Sequence, residues 1–321
     1  MYLEHFGFTD YPFNLTPDPR FAVGTAAYTE LLAGLYYGIE MAKGLTVVTG
    51  EVGTGKTMAL RWIIRRFQSG VLASYIVNPH LTIDEFYHHL TGMLGVKQWS
   101  NKSELLTQLS KLLEERHQRG LRTVLIVDEA HELSDAVLEE IRLLLNFESD
   151  TAKYLQVILS GQPELTERLR QPNLRQLKQR VAFRCKMPML SGSEEVGRYI
   201  RERMKIAGSK KPNIFDPDSI ELIYQYSAGI PRQINNLCDN ALLSAYSAGK
   251  QKITRSMIEE AAENLDMIPD RTSLMAGLEA TVDQGPALNV LTAEARNELL
   301  GENKRNVEEF DSREFRGLRE A

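Results

Sequence analysis

The sequence predicts an α/β fold in which a parallel sheet is followed by a small all-helical domain. Five short apolar runs alternate with amphipathic helical stretches up to about residue 190, a pattern typical of parallel strands joined by helices. Beyond residue 190 the apolar residues recur only at helical spacing. A glycine-rich motif, Gly50–Thr57, lies between the first strand and a helix. These observations favour a phosphate-loop nucleotide-binding sheet with a helical lid.

The composition is that of an ordinary globular protein. Hydrophobic residues make up 43% and charged residues 25% of the 321 residues, and the formal net charge is -5. The longest apolar runs, such as Val124–Val127, fall far short of the roughly 20 residues that cross a bilayer. Glu4, His5 and Asp10 stand where a signal peptide would need a basic start and an apolar stretch. We therefore expect a cytoplasmic protein without a transmembrane segment.

Four segments follow from the pattern along the chain. Residues 1–30 are rich in aromatics and prolines, and the prolines exclude a long helix. We expect an ordered arm whose rings pack on a core, with contact to a partner or to adenine as the alternative. Residues 31–190 carry the nucleotide-binding α/β domain, and residues 191–268 form the helical lid. Residues 269–321 are polar and weakly patterned, which predicts a flexible tail.

The individual elements can be placed from their apolar runs and start signals. The strand candidates are Leu45–Thr49, Leu72–Val77, Thr123–Val127, Leu155–Ser160 and Val181–Lys186. Thr82 with Glu85, and Ser191 with Glu194, each fit a capping box at a helix start. Further helices are expected at Ser103–Arg119, Pro217–Ser227, Pro231–Ser247 and Arg255–Leu265.

The strongest chemical signal is a phosphate-binding loop after the first strand. It matches GxxxxGK[ST], and with the next helical residue it is expected to contact the nucleotide through Gly50, Glu51, Val52, Gly53, Thr54, Gly55, Lys56, Thr57 and Met58. Glycines let backbone N–H groups turn toward phosphate oxygens, and a helix N-terminus favours their charge. Lys56 is expected to reach the terminal phosphates, and the Thr57 hydroxyl to complete a Mg²⁺ shell. ATP and Mg²⁺ are the expected ligands, with a chance glycine-rich turn as the alternative.

Two carboxylates follow another apolar strand. Val124–Val127 leads into Asp128 and Glu129, and ligands of parallel sheets gather at this end of the strands. Asp128 is expected to hold Mg²⁺ directly or through water. Glu129 is expected to polarise the water that attacks the γ-phosphate, which makes it the candidate general base. A helix cap is the alternative for the pair, and His131 fits a structural role as well as a functional one.

With these motifs the sequence resembles the AAA+ ATPases, and among them the ExeA/GspA-type ATPases. The resemblance covers about residues 1–267. It is carried by the phosphate loop, the Asp-Glu-Ala-His box, the helical domain and the segments Met1–Gly7, Pro12–Phe21 and Ser160–Leu165. It implies an α/β AAA+ domain with a helical lid, and ATP hydrolysis used as a conformational or assembly switch.

The resemblance also implies further site residues. A polar sensor at the end of the strand beside the acidic pair is assigned to Gln162, with Ser160 as the alternative. Arg232 resembles a second sensor, which would draw the helical domain onto the nucleotide by pairing with phosphate. Arg180 is expected to act as an arginine finger on the ATP of a neighbouring subunit, with Arg175 as the runner-up. A turn residue or a solvated surface is the alternative in each case.

An arginine finger would make the active form a homo-oligomer, either a ring or a filament, with ATP sites at subunit interfaces. Three functions fit these residues. The first is an ATPase of secretion or envelope assembly with a membrane partner, which the N-terminal resemblance favours. The second is a transposition-type regulator that binds DNA when loaded with ATP, which the basic run Arg168–Lys186 favours. The third is a non-catalytic nucleotide-binding scaffold, against which Lys56, Asp128 and Glu129 argue.

Overall fold

The computed structural model describes residues 2–67, 70–77, 80–96, 98–211 and 213–268. These residues form a five-stranded sheet, helices on its two faces and a helical domain that follows it. All of them belong to one compact unit. The predicted tail, residues 269–321, lies outside the described residues. The predicted boundaries after residues 30 and 190 stay predictions.

The sheet is parallel, as the sequence predicts. Its strands in the described residues are β1 (Leu45–Thr49), β2 (Val71–Ile76), β3 (Arg122–Val127), β4 (Leu155–Gly161) and β5 (Val181–Lys186). They lie in the order β2-β3-β4-β1-β5, and every neighbouring pair is parallel. Because all strands run the same way, the loops that follow β1, β3 and β4 leave the sheet at one edge.

The helices surround this sheet and continue beyond it. Within the described residues they are α1 (Tyr2–Phe6), α2 (Ala26–Glu40), α3 (Lys56–Arg66), α4 (Ile83–Leu94), α5 (Lys102–Gln118), α6 (Asp135–Leu144), α7 (Glu164–Leu169), α8 (Arg175–Gln179), α9 (Gly192–Ile206), α10 (Pro217–Ser227), α11 (Pro231–Ser247) and α12 (Arg255–Asn264). Across this described part of the chain, no helix combines the length and the apolar character that crossing a bilayer requires.

Alternate residues of the strands point to opposite faces of the sheet and are buried in two separate apolar cores. Val48, Ile126 and Ile158 pack with α2 and α3 on one face of the sheet. Residues of the opposite parity, such as Val47 and Leu125, pack with α4, α5 and α6 on the other face. This alternation is the period of two residues expected of a β-strand. Burial of both faces stabilises the order of the strands in the sheet.

The N-terminal arm packs on the helical domain rather than on the sheet. Five of its rings are buried in the core that α9, α10, α11 and α12 form: Tyr2, Phe6, Phe8, Phe13 and Phe21. The buried Arg203 guanidinium holds the arm by donating hydrogen bonds to the carbonyls of Pro12 (2.6 Å) and Asn14 (3.4 Å). The predicted packing of these rings on a core is therefore confirmed, and that core is the one of the helical domain.

One of the two predicted capping boxes is wrong. The Thr82 box is confirmed, because the Thr82 hydroxyl accepts from the Glu85 N–H (3.3 Å) and the Glu85 carboxylate accepts from the Thr82 N–H (2.8 Å). At α9 the carboxylate that accepts from the Ser191 N–H (2.7 Å) is that of Glu195 instead of Glu194. The chain enters α9 through Gly192 at a left-handed φ of 81°, and Ser191 forms no side-chain cap on the helix.

Candidate nucleotide-binding site

The glycine-rich loop leaves β1 and enters α3 as a tight turn around its own lysine. Gly53 and Gly55 adopt left-handed φ angles of 82° and 100°, which residues with a side chain rarely adopt. The Lys56 ammonium is buried and donates hydrogen bonds to the carbonyls of Gly50 (2.9 Å) and Glu51 (3.1 Å). The loop therefore forms a glycine-rich cradle at the N-terminus of α3, where anion binding is favoured.

Two positively charged side chains lie beside this cradle. Lys56 and Arg232 line one pocket together with Thr57 and Glu129. Burial lowers the pKa of the Lys56 ammonium, and the positive charge of Arg232 acts in the same direction, whereas the carboxylates of Glu129 and Asp128 oppose the shift. A bound polyphosphate would stabilise both cations, because it supplies negative charge where these cations crowd together.

Asp128 follows β3 and accepts hydrogen bonds from four donors. Its Oδ2 accepts from the hydroxyls of Thr57 (2.6 Å) and Tyr75 (2.9 Å). Its Oδ1 accepts from the Ser160 hydroxyl (2.9 Å) and from the Glu129 N–H (3.1 Å). Asp128 is only 2% exposed. The phosphate loop and the acidic pair are therefore in direct contact across the end of β4.

Glu129 combines an unusual backbone with an unpartnered oxygen. Its φ is 50°, a left-handed value that is uncommon outside glycine and is often found at functional sites. Its Oε2 is buried and accepts no hydrogen bond from the described residues, although Glu129 lines the pocket. The Nδ1 of His131 lies 3.5 Å from this oxygen. Glu129 therefore brings to the pocket a carboxylate oxygen without a hydrogen bond from the described residues.

The helical domain meets the phosphate loop at the start of α11. The Arg232 N–H donates to the Gly53 carbonyl (3.1 Å), so the loop caps one of the N–H groups that a helix start leaves free. A Cβ on Gly53 would lie 2.6 Å from the Cβ of Arg232. Just before α11, a Cβ on Gly229 would lie 2.0 Å from the carbonyl oxygen of Leu190. Close backbone approach therefore requires glycine at both positions.

The N-terminal arm supplies another wall of the same pocket. Arm residues 14–17 and 21–23, together with Tyr28 at the start of α2, line it alongside Tyr199 and Asn235 of the helical domain. The arm, the helical domain and the phosphate loop thus enclose one space. Contact of the arm with adenine, left open by the sequence, stays a prediction.

Of the two sensor candidates, Ser160 reaches the acidic pair directly. Its buried hydroxyl donates to Asp128, as described above. The Nε2 of Gln162 instead lies 2.9 Å from the Nε2 of His131, whose other ring nitrogen faces Glu129. Among the described residues, Gln162 is therefore linked to the candidate base through His131, and the sensor role of either residue stays a prediction.

Within the described residues, neither arginine-finger candidate lines the pocket of its own chain. Arg180 donates to the side-chain oxygen of Asn146 (2.8 Å), and its guanidinium lies 3.9 Å from Glu148. Arg175 is exposed on α8. A residue that acts on a neighbouring subunit has no contact with its own pocket, so the finger role stays a prediction for both.

Tyr75 is one of the site residues that were not predicted from the sequence, as are Tyr28, Tyr199 and Asn235. Tyr75 is the second-to-last residue of β2 and pairs in register with Ile126 of β3. This register brings its hydroxyl to the carboxylate that follows β3. A tyrosine near the end of the neighbouring strand was the available signal, but the sequence does not show how two strands pair.

The chemistry of these residues fits MgATP. Mg²⁺ commonly takes one or two protein oxygens and completes its shell with phosphate and water, and Thr57 and Asp128 provide such a pair. The glycine cradle and the two cations suit a triphosphate. Over the described ranges, no group of three or more His, Cys, Asp and Glu residues could hold a metal by itself.

Comparison with known proteins agrees with this geometry. Residues 39–169 match the family described as AAA domain. The chain is 38% identical over 288 residues to General secretion pathway protein A of Aeromonas hydrophila. This match covers 87% of this chain and 51% of that protein. The chain is also 24% identical over 265 residues to ATP-dependent target DNA activator B of Escherichia phage Mu, covering 81% of this chain and 78% of that protein. The chain spans about half the length of the secretion protein.

Solved structures share the fold at low sequence identity. Cdc6p from Pyrobaculum aerophilum has a TM-score of 0.58 and 15% identity, over 76% of this chain and 70% of that chain. The RuvB Holliday junction branch migration motor of Thermotoga maritima has a TM-score of 0.52 and 16% identity, over 87% of this chain and 82% of that chain. These similarities show a common architecture of sheet and following helical domain.

Two glycines with matching backbones test the contact between loop and helical domain. Gly53 and Gly95 have φ values of 82° and 81°, but a Cβ on Gly95 would meet nothing within 4 Å. We expect Gly53→Ala and Gly95→Ala each to lose about 1 kcal/mol of unfolding free energy from left-handed strain. Only Gly53→Ala should also weaken ATP binding, by about tenfold or more, because its Cβ displaces α11. Denaturant unfolding and equilibrium nucleotide titration measure the two effects, and equal ATP affinities in the two variants would contradict the contact.

Proposed function

The chain belongs to the ExeA/GspA-like AAA+ ATPases, and on that premise we propose that it binds MgATP in the described pocket and hydrolyses it to ADP and phosphate. One observation carries the proposal. Lys56, Thr57 and Glu129 line a single pocket, and the Thr57 hydroxyl contacts Asp128 at 2.6 Å. A lysine for phosphate, two oxygens for a metal and a free carboxylate for water are the parts that this reaction needs.

Binding follows from the loop and the cations. The phosphates of ATP bind the N–H groups at the start of α3, and Lys56 and Arg232 neutralise them. Thr57 and Asp128 would hold the magnesium. When bound, that ion supplies positive charge to the phosphate oxygens. The burial that lowers the pKa of Lys56 also strengthens its attraction to phosphate.

Hydrolysis is assigned to Glu129. Its Oε2 accepts a proton from a water, the water oxygen forms a bond to the γ-phosphorus, and the bond from that phosphorus to the bridging oxygen of ADP breaks. Within the described residues this buried oxygen accepts no hydrogen bond, which supports the assignment. Gln162, or Ser160 in its place, orients the water or the γ-phosphate, and His131 holds Glu129 and Gln162 in relation to each other.

The nucleotide acts as a conformational switch through the helical domain and a neighbouring subunit. Arg232 draws the helical domain onto the phosphates, and the hydrogen bond between its N–H and Gly53 supports this coupling. Arg180 of one subunit stabilises the charge that develops on the ATP of the next, so the active form is a homo-oligomer, a ring or a filament.

Two variants distinguish ATP binding from ATP hydrolysis. Lys56→Ala should lose ATP binding, because the loop then lacks its phosphate-binding cation. Glu129→Gln should bind ATP within about threefold of the unchanged protein yet lose at least about 100-fold in turnover, because the amide accepts no proton. Titration with a fluorescent ATP analogue and phosphate release measure the two quantities.

Glu139→Gln is the matched control, since Glu139 is half exposed on α6, pairs with Arg142 and does not line the pocket within the described residues. It should keep both binding and turnover. Unreduced turnover in Glu129→Gln would overturn the role of Glu129. Binding without turnover in the unchanged protein, measured in its assembled state, would favour the non-catalytic scaffold.

The arginine finger is tested by mixing inactive subunits. Arg180→Ala and Lys56→Ala should each be inactive alone. In a mixture, an Arg180→Ala subunit keeps an intact loop and can receive Arg180 from a Lys56→Ala neighbour, so turnover should partly return. The same experiment with Arg175→Ala examines the runner-up. If no ratio of Arg180→Ala to Lys56→Ala restores phosphate release, Arg180 does not act on a neighbour.

For the process that the switch serves, we propose secretion or cell-envelope assembly, with the protein working in the cytoplasm beside a membrane partner. The support is the 38% identity to General secretion pathway protein A over 87% of the chain. A match over that share of the chain includes both the phosphate loop and the acidic pair.

A second candidate function is ATP-dependent DNA binding in a transposition system. The similarity to ATP-dependent target DNA activator B supports it, and so does a basic surface on the segment from α7 to β5. Arg170, Arg175, Lys178, Arg184 and Lys186 are exposed there. Arg184 and Lys186 lie two residues apart on the edge strand β5, so they share one face.

The salt dependence of DNA binding distinguishes this second function. If the basic surface contacts phosphates, the chain with ATP should bind duplex DNA regardless of sequence. The double variant Arg184→Ala, Lys186→Ala should reduce the slope of log K against log salt by about 2, one unit for each lost phosphate contact. Lys111→Ala, 79% exposed on α5, is the control and should keep the slope. Absence of ATP-dependent DNA binding at low salt would exclude the function.

A further inference from the structure

The carboxylate of Asp128 accepts hydrogen bonds from side chains on both of the strands that flank β3. Tyr75 near the end of β2 donates its hydroxyl to Oδ2 (2.9 Å), and Ser160 near the end of β4 donates to Oδ1 (2.9 Å). Because β2 and β4 flank β3, the two side chains approach the carboxylate from opposite sides. The register that aligns Tyr75 with Ile126 fixes the approach on the β2 side.

The donors to Oδ2 differ in what they do when a metal binds. Thr57, the other donor to Oδ2, is itself a candidate metal ligand at the start of the phosphate-binding helix. Tyr75 lies on β2, outside the phosphate loop, and is absent from the pocket lining. Among the described residues, its hydroxyl donates to Asp128. Its hydroxyl can therefore hold Oδ2 independently of the nucleotide.

Tyr75 is suited to be a donor to Asp128. Its side chain is half-buried on β2, in register with Ile126 near the end of β3. Its hydroxyl can donate to the carboxylate, whose oxygens accept hydrogen bonds.

We propose that Tyr75 is a positioning residue for the magnesium site, whose hydroxyl fixes the orientation of the Asp128 carboxylate that the metal of MgATP binds. The inference rests on the function proposed above. Without this donor, Oδ2 depends on the Thr57 hydroxyl alone, and the carboxylate is less restrained about its final torsion. Partners that orient a metal ligand in this way typically change metal affinity by about 10- to 100-fold when removed.

Tyr75→Phe tests the proposal because it removes one oxygen and keeps the ring. ATP affinity would be measured with a fluorescent ATP analogue, both across a Mg²⁺ titration and with the metal chelated. We expect the half-saturating Mg²⁺ concentration to rise about 10- to 100-fold. The metal-free affinity should stay within about twofold, because Tyr75 does not contact the phosphate pocket. A purely structural role would lower the melting temperature and leave the Mg²⁺ dependence unchanged.

A control and a rescue sharpen the test. Tyr36→Phe removes a hydroxyl from the same domain while keeping the ring that stacks on Phe67 at 4.8 Å, and it should leave the Mg²⁺ titration unchanged. Tyr75→4-aminophenylalanine restores an N–H donor at the same place and should bring the Mg²⁺ requirement back toward that of the unchanged protein. A Tyr75→Phe titration that superimposes on that of the unchanged protein overturns the proposal.

The failure of this inference is distinguishable from failure of the proposed function. If the unchanged chain shows no Mg²⁺-dependent ATP binding, or Lys56→Ala binds ATP as well as the unchanged chain, the ATP site itself is wrong. If both behave as expected and Tyr75→Phe alone has no effect on the Mg²⁺ titration, only the role of Tyr75 is wrong.

Discussion

The hydrogen bond of 2.6 Å between the Thr57 hydroxyl and the Asp128 carboxylate joins the two halves of the site. Thr57 opens α3 directly after the phosphate loop, whereas Asp128 follows β3, and β4 lies between β1 and β3. The contact therefore requires three adjacent strands that run the same way, since only then do their ends deliver loop residues to one edge. The apolar cores on the two faces of the sheet maintain this order. Every chemical role assigned above depends on it.

The helical domain and the N-terminal arm are also held in relation to the phosphate loop. A backbone hydrogen bond links the Gly53 carbonyl to the N–H of Arg232, so the conformation of the phosphate loop and the start of α11 are coupled without any side chain between them. The arm buries its rings in the core of the helical domain and also lines the pocket. A ligand in this pocket would therefore lie against the loop, the helical domain and the arm together.

Local features were predictable from the sequence, and contacts between distant segments were not. The strands agree within one residue at each end, because short aliphatic runs bounded by turns mark them, and the phosphate loop is a local motif. Tyr75 was missed because its contact depends on the register of β2 against β3. Which of Ser160 and Gln162 contacts Asp128 at the end of β4 depends on side-chain directions that no local pattern records. The core that receives the arm depends on packing between segments some 200 residues apart, such as Pro12 and Arg203, which no local pattern records.

The central claim is that one nucleotide is enclosed jointly by the loop, the arm and the start of α11. Hydrogen–deuterium exchange of the full chain, with and without ATP and Mg²⁺, tests it most directly because it reads all three segments in the same sample. The account predicts slower exchange in residues 14–28, 50–58 and 229–235 together when ATP and Mg²⁺ are present. Protection of residues 50–58 alone, with the arm and the start of α11 unchanged, would contradict it.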